Sequence, residues 1–189
     1  LQSTDWDHIK LGTENNLNAI YFADDYNGLI AGDSSLILQS SDGGLNWKKI
    51  SNKYKNDFYS ININDDKTFV GGSLGFLGHL NSKNELVQIP TNTSASLFKI
   101  LFISSNTGFV VGSNGLILRT NDGGVSWKKI DSGVSNNLFS ISFSDSKNGV
   151  IVGWGGTILK TIDAGLSWKK HIVNFSSYLK DVLFVNEFL

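Results

Sequence analysis

The sequence predicts an all-β protein made of a tandem repeat of about 41 residues, and three observations carry that prediction. The segment Ser41–Ile50 recurs almost letter for letter at 121–130 and again at 162–171. A second pattern, Leu-x-x-Ile-x-Phe with close variants, starts at Leu17, Phe58, Leu97, Leu138 and Leu179. The composition is that of strands and tight turns: twelve Phe, five Trp and five Tyr with 20 Gly, against a single Pro and no Met.

Each repeat reads as four short strands, a to d. In the first, strand a is 17–23, strand b 29–32, strand c 36–39 and strand d 47–51. The intervening turns carry Asn-Gly pairs, at 27–28, 114–115 and 148–149, which tolerate the positive φ of tight turns. Strand a is apolar on both faces, as in Leu97, Phe98, Ile100, Leu101 and Phe102, whereas a half-exposed strand would alternate. A four-stranded unit buried on both faces packs between two neighbours, and radial stacking of such units is a β-propeller with antiparallel blades. The blades are expected at 17–57, 58–96, 97–137 and 138–178, with inner strands at 17–23, 58–63, 97–103 and 138–144.

The second blade is degenerate. Asn81, Lys83 and Leu86 stand where the other copies have Asp, Gly and Trp, so its c–d hairpin, 79–86, is expected to be the least regular. Both ends read as partial blades: 4–11 as an orphan outer strand and 179–189 as the first strand of a further blade, with a lone strand at 179–184. Unpaired strands invite pairing, so these edges are expected to be completed by each other, by chain outside this segment or by a partner. The chain accordingly reads as part of a longer one.

Sixteen Lys and Arg balance seventeen Asp and Glu, for a net charge of −1. That offers no basic excess for a nucleic-acid partner. No apolar run approaches the length of a membrane span. No basic segment followed by an apolar one precedes the first strand, so a signal peptide is read as absent or removed. The absence of Cys excludes disulfides, thiolate metal sites and a Cys nucleophile.

The recurring turn, Ser/Thr-x-Asp-x-Gly-x-Ser/Asn-Trp, resembles the Asp-box, or BNR repeat. It comprises Asp42, Gly44 and Trp47, then Asp122, Gly124 and Trp127, then Asp163, Gly165 and Trp168. With the preceding Phe102/Gly108/Gly112 and Phe143/Gly149/Gly153 it is similar to the photosystem II stability/assembly factor family. That resemblance implies a seven-bladed parent and, for many such bacterial proteins, export. Physically the box reads as structural. A short Asp can accept main-chain N–H groups of its own turn, and one carboxylate per box offers too few hard ligands for Ca²⁺. The family likewise keeps Asp-boxes away from active sites.

Sialidases also carry Asp-boxes, and their resemblance implies a clamp of three Arg. Bidentate carboxylate recognition favours Arg over Lys, and Arg119 stands alone here. The Arg patch tied to partner binding in the assembly-factor family is absent for the same reason. Paired carboxylates at Asp24-Asp25 and Asp65-Asp66 could serve a glycoside hydrolase, but they fall in turns, where Asp is ordinarily solvated. His8, His79 and His171 show no ligand spacing. No catalytic residue, metal or cofactor is therefore assigned. The reading is a non-catalytic propeller that binds a protein or a glycan outside the cytoplasm. Its binding surface is expected on the face of the b–c turns and d–a loops. There Trp154 replaces the small residues of the other blades, and Tyr54 and Phe175 could extend the patch.

Overall fold

The computed structural model describes residues 9–185 and is all-β, with four antiparallel sheets of four strands. The first blade is β1 (Leu17–Phe22), β2 (Gly28–Gly32), β3 (Ile37–Ser40) and β4 (Lys48–Lys49). The second is β5 (Phe58–Asn64), β6 (Lys67–Gly72), β7 (Leu77–Leu80) and β8 (Leu86–Ile89). The third is β9 (Leu97–Phe102), β10 (Gly108–Gly112), β11 (Ile117–Thr120) and β12 (Lys128–Ile130). The fourth is β13 (Leu138–Phe143), β14 (Gly149–Gly153), β15 (Ile158–Thr161) and β16 (Lys169–His171). Within each sheet the strands lie in sequence order, and β1, β5, β9 and β13 fall where the repeat places the inner strands.

The core lies between blades rather than inside any one of them. Leu29, Ala31 and Ile37 of the first blade meet Phe58, Ile61 and Val70 of the second. Phe69 and Leu77 of the second meet Leu97, Ile100, Val110 and Leu118 of the third. Phe109, Val111 and Ile117 of the third meet Leu138, Ile141, Ile151 and Trp168 of the fourth. Alternate residues of β10 thus serve opposite neighbours: Val110 faces back and Phe109 and Val111 face forward, as period-2 geometry requires. β1 is the exception. Leu17, Ile20 and Phe22 are 45%, 63% and 40% exposed because no blade packs on their outer side among the described residues.

Every inner strand carries a β-bulge at the same place. The a–b register slips between Leu17 and Ala19, Phe58 and Ser60, Leu97 and Lys99, and Leu138 and Ser140. One residue is left out of each ladder: Asn18, Tyr59, Phe98 and Phe139. A bulge bends its strand and re-aims the extra side chain. Glycine on strand b makes room for the bend. A Cβ on Gly112 would lie 2.1 Å from the Ser96 carbonyl oxygen.

Two expectations need correction. The degenerate second blade has the most extensive c–d pairing, four residue pairs from Leu77–Ile89 to Leu80–Leu86, against two or three in the other blades. Without the box, Asn81 Oδ1 accepts the main-chain N–H groups of Lys83 and Glu85, and Asn84 takes φ +63°, which closes a shorter turn and lengthens the ladder. The strand expected at 179–184 is not formed either. Neighbouring inner strands meet through side chains, and the segment has no partner strand with which to build a ladder. It runs beside β13, with Leu179 N donating to Gly153 O at 3.2 Å and Phe184 N to Ser142 Oγ at 3.1 Å. Of the orphan strand expected at 4–11, residues 1–8 lie outside the described residues and 9–11 form no strand.

Phe109 is fully buried between the third and fourth blades. Phe109→Ala is expected to cost about 3–5 kcal/mol in urea denaturation, because no neighbour can collapse into the gap it leaves.

Candidate functional site

The turns fall on two faces. On one, box turns hydrogen-bond to a–b turns: Gly43 N to Tyr26 O at 2.9 Å, Gly123 N to Asn106 O at 3.0 Å and Ala164 N to Lys147 O at 3.0 Å. On the other, b–c turns bond to d–a loops: Ser35 N to Asn56 O at 2.8 Å, Gly115 N to Asn136 O at 2.9 Å and Gly156 N to Ser177 O at 2.8 Å.

The box carboxylates are spent on their own turns. Asp122 Oδ1 accepts Thr120 Oγ1–H at 2.7 Å and Ser126 N–H at 2.9 Å, while Oδ2 accepts the Ser126 hydroxyl. Asp163 repeats this with Thr161 and Ser167, and Asp42 with Ser40 and Asn46. Donation from Ser126 and Ser167 holds the Asp122 and Asp163 carboxyls down at about 2. Asp42 is lowered in the same direction, first by Asn46. The rest of the box is interblade packing. Gly124 and Gly165 lie against Phe69 and Phe109 of the preceding blades, and Trp127 and Trp168 meet those rings edge-on at 6.5 and 6.3 Å.

Two a–b turn carboxylates, Asp24 and Asp145, are likewise bonded within their own turns. Asp24 accepts Tyr26 N, Asn27 N and the Asn27 side chain, and donation from Asn27 lowers its carboxyl. A general acid needs the opposite shift. Among the described residues no three His, Cys, Asp or Glu side chains gather to hold a metal, and no helix is long and apolar enough to cross a membrane.

Chemistry of another kind lies on the b–c face. Trp154 is 49% exposed and stacks on Tyr178 with centroids 5.9 Å apart and planes 10° apart. Tyr178 stacks on Phe139 at 6.4 Å, and tilted ring contacts continue the row from Phe139 to Phe98 at 5.6 Å and from Phe98 to Tyr59 at 5.8 Å. Lys180 Nζ sits 4.3 Å from the Phe139 centroid and 5.1 Å from that of Tyr178. Tyr59, Phe98, Phe139 and Lys180 line a cavity of about 520 Å³ walled by the inner strands. Burial pushes the Tyr59 phenol up, and Asp57 and Asp33 add to the shift.

Of the residues singled out from sequence, only Trp154 belongs to this row. Tyr54 packs on Phe76 at 4.7 Å in the core between the first two blades, and its hydroxyl accepts Gln88 N–H at 3.2 Å, so it is a packing residue. Phe175 is half exposed, and no ring contact joins it to Trp154. Sequence reasoning missed Tyr59, Phe98, Phe139 and Tyr178. The legible signal was an aromatic residue directly after the opening apolar residue of three successive repeats.

These features define the class: a propeller of Asp-box blades whose boxes hold blade to blade. The sequence profile described as photosynthesis system II assembly factor YCF48 matches residues 1–85, 79–170 and 125–186, and the chain belongs to that family. It is 28% identical over 139 residues to the photosystem II assembly lipoprotein Ycf48 of Prochlorococcus marinus strain MIT 9313, covering 65% of this chain and 39% of that protein. To the Ycf48 of Synechococcus sp. strain CC9902 it is 24% identical over 133 residues, covering 67% and 40%. The match thus spans about two fifths of those relatives. Among solved structures, YCF48 bound to D1 peptide superposes with TM-score 0.75 at 20% identity, over 97% of this chain and 62% of that one. An ancestral GH74 enzyme superposes with TM-score 0.74 at 20% identity, over 91% and 26%. At these identities the structural likenesses establish the β-propeller fold; the sequence match is to an assembly factor, not an enzyme.

Two measurements check the division of labour. The lowered box carboxyls stabilise the fold above their ordinary value of 3.8, and that contribution is lost as pH falls through about 2. The urea midpoint is expected to drop between pH 4 and pH 2, and to drop less in the double variant Asp122→Asn, Asp163→Asn. In thermal melts Trp127→Ala is expected to cost about 3 kcal/mol, whereas Trp154→Ala leaves the melting temperature unchanged.

Proposed function

We propose that this chain is part of a non-catalytic propeller that binds a protein partner in an extracytoplasmic assembly. The observation that carries the reading is the partly exposed aromatic row on the b–c face, on a fold whose three box carboxylates are committed to their turns. The family's role as assembly factor supports it, as does a relative solved with a bound peptide. The relatives are named lipoproteins, which supports the location. The expected seven-bladed parent also belongs to this reading.

A second reading, glycoside hydrolysis, draws on the fold likeness to GH74 enzymes. The low carboxyl of Asp24 stands against an acid in that turn. Selection from a displayed random-peptide library is expected to recover binders, with no sugar released from a set of oligosaccharides. Turnover that a single Asp substitution abolishes would establish the hydrolase.

A further inference from the structure

The aromatic row owes its existence to the bulges. Tyr59, Phe98 and Phe139 are the residues their ladders leave out, so backbone geometry, not core packing, aims them at the cavity. Strand hydrogen bonding does not require aromatic rings there. Asn18 occupies the same position in the first blade and instead bonds Asp33 and the Phe58 carbonyl. Beyond β13 the row continues through Tyr178 to Trp154, across three blades and onto open surface, where both rings are about half exposed or more.

We propose that this row, from Tyr59 to Trp154, is a docking track for an extended peptide segment of a partner, with proline or aliphatic side chains on one face and a carboxylate at the Lys180 end. The proposal rests on the protein-binding reading above and names the site and the occupant.

Spacing comes first. Successive centroids lie 5.6–6.4 Å apart, and two residues of a strand or polyproline II chain advance about 6–7 Å. Each ring can therefore meet one side chain of every second residue. Aromatic-lined grooves recognise such chains because they enter binding already extended.

Polarity comes second. Lys180 rests over two aromatic rings and offers N–H donors to a carboxylate at that end of the row.

Third, the track fits a sugar poorly. Neighbouring rings along the inner strands are tilted by 48° and 44°, so they present edges rather than one flat platform. Two of the polar side chains on its wall are already engaged, Asn18 on Asp33 and the Phe58 carbonyl and Asp181 on the Ser140 hydroxyl.

The test uses the whole chain and a fluorescein-labelled probe of five Leu-Pro repeats ending in Asp, against a Gly-Ser peptide of equal length and charge. The Leu-Pro probe is expected to bind at least tenfold tighter. Phe139→Leu, which keeps an apolar filler in the wall, and Trp154→Ala, which removes a half-exposed ring, are each expected to weaken it at least fivefold. Lys180→Gln is expected to abolish the preference for terminal Asp over terminal Asn. Equal binding of the two probes, insensitivity to both ring substitutions, or tighter binding of a hexasaccharide than of the Leu-Pro probe overturns the track. If library-selected peptides bind Phe139→Leu and Trp154→Ala as tightly as the parent chain, the track falls and protein binding stands. If the library yields no peptide at all, both fall.

Discussion

Everything in this molecule depends on one sheet burying its face against the next. A single four-stranded blade has two apolar faces and no interior, so its side chains become a core only when a neighbour covers them. The interlock is specific. Phe69 of the second blade and Phe109 of the third reach forward to Gly124 and Gly165 of the following boxes. A Cβ at either glycine would fall within about 2.5 Å of the ring, inside any real contact distance. The box Trp then closes over the same ring edge-on. The box therefore acts as a socket, and its Asp keeps the socket in shape by bonding the turn to itself.

That arrangement divides the surface. Box turns and a–b turns are knitted together on one face by main-chain bonds, and the box carboxylates are committed to their own turns. The opposite face is built from b–c turns that bond the d–a loops through main-chain atoms and, in the second and third blades, also through Ser73 Oγ and Ser113 Oγ, which accept the N–H groups of Asp57 and Ser96. Trp154 gives up that hydroxyl acceptor, and its turn keeps the main-chain bonds, Trp154 N donating to Asn137 O and Gly156 N to Ser177 O, neither of which involves the indole.

How much of this the sequence reveals follows from which features repeat. The four-stranded antiparallel blades and their order rest on residues that recur at a fixed period, and these were legible. The bulges were not, because an extra residue in an inner strand is invisible to apolar patterning when both faces are apolar. Tyr59, Phe98 and Phe139 accordingly read as ordinary strand residues. Tyr54 misled for the opposite reason: a loop position suggests exposure, but its ring reaches Phe76 under the blade edge. The segment after Leu179 matched the inner-strand pattern, yet a pattern supplies side chains for one face and no partner for the main chain.

The degenerate blade shows what the box costs as well as what it gives. Boxed blades end in outer strands of two or three residues, each opening on an exposed lysine pair: Lys48-Lys49, Lys128-Lys129 and Lys169-Lys170. Short, cationic edges resist the addition of a foreign strand. Without the box, the second blade recovers a four-residue outer strand, Leu86–Ile89, that carries no charge and exposes Val87 at 40%. Ladder length and edge protection thus trade against each other through the same turn. The box shortens the outermost strand because it spends residues on a socket for the neighbouring blade, and the lysines that follow it guard an edge that is already too short to template another.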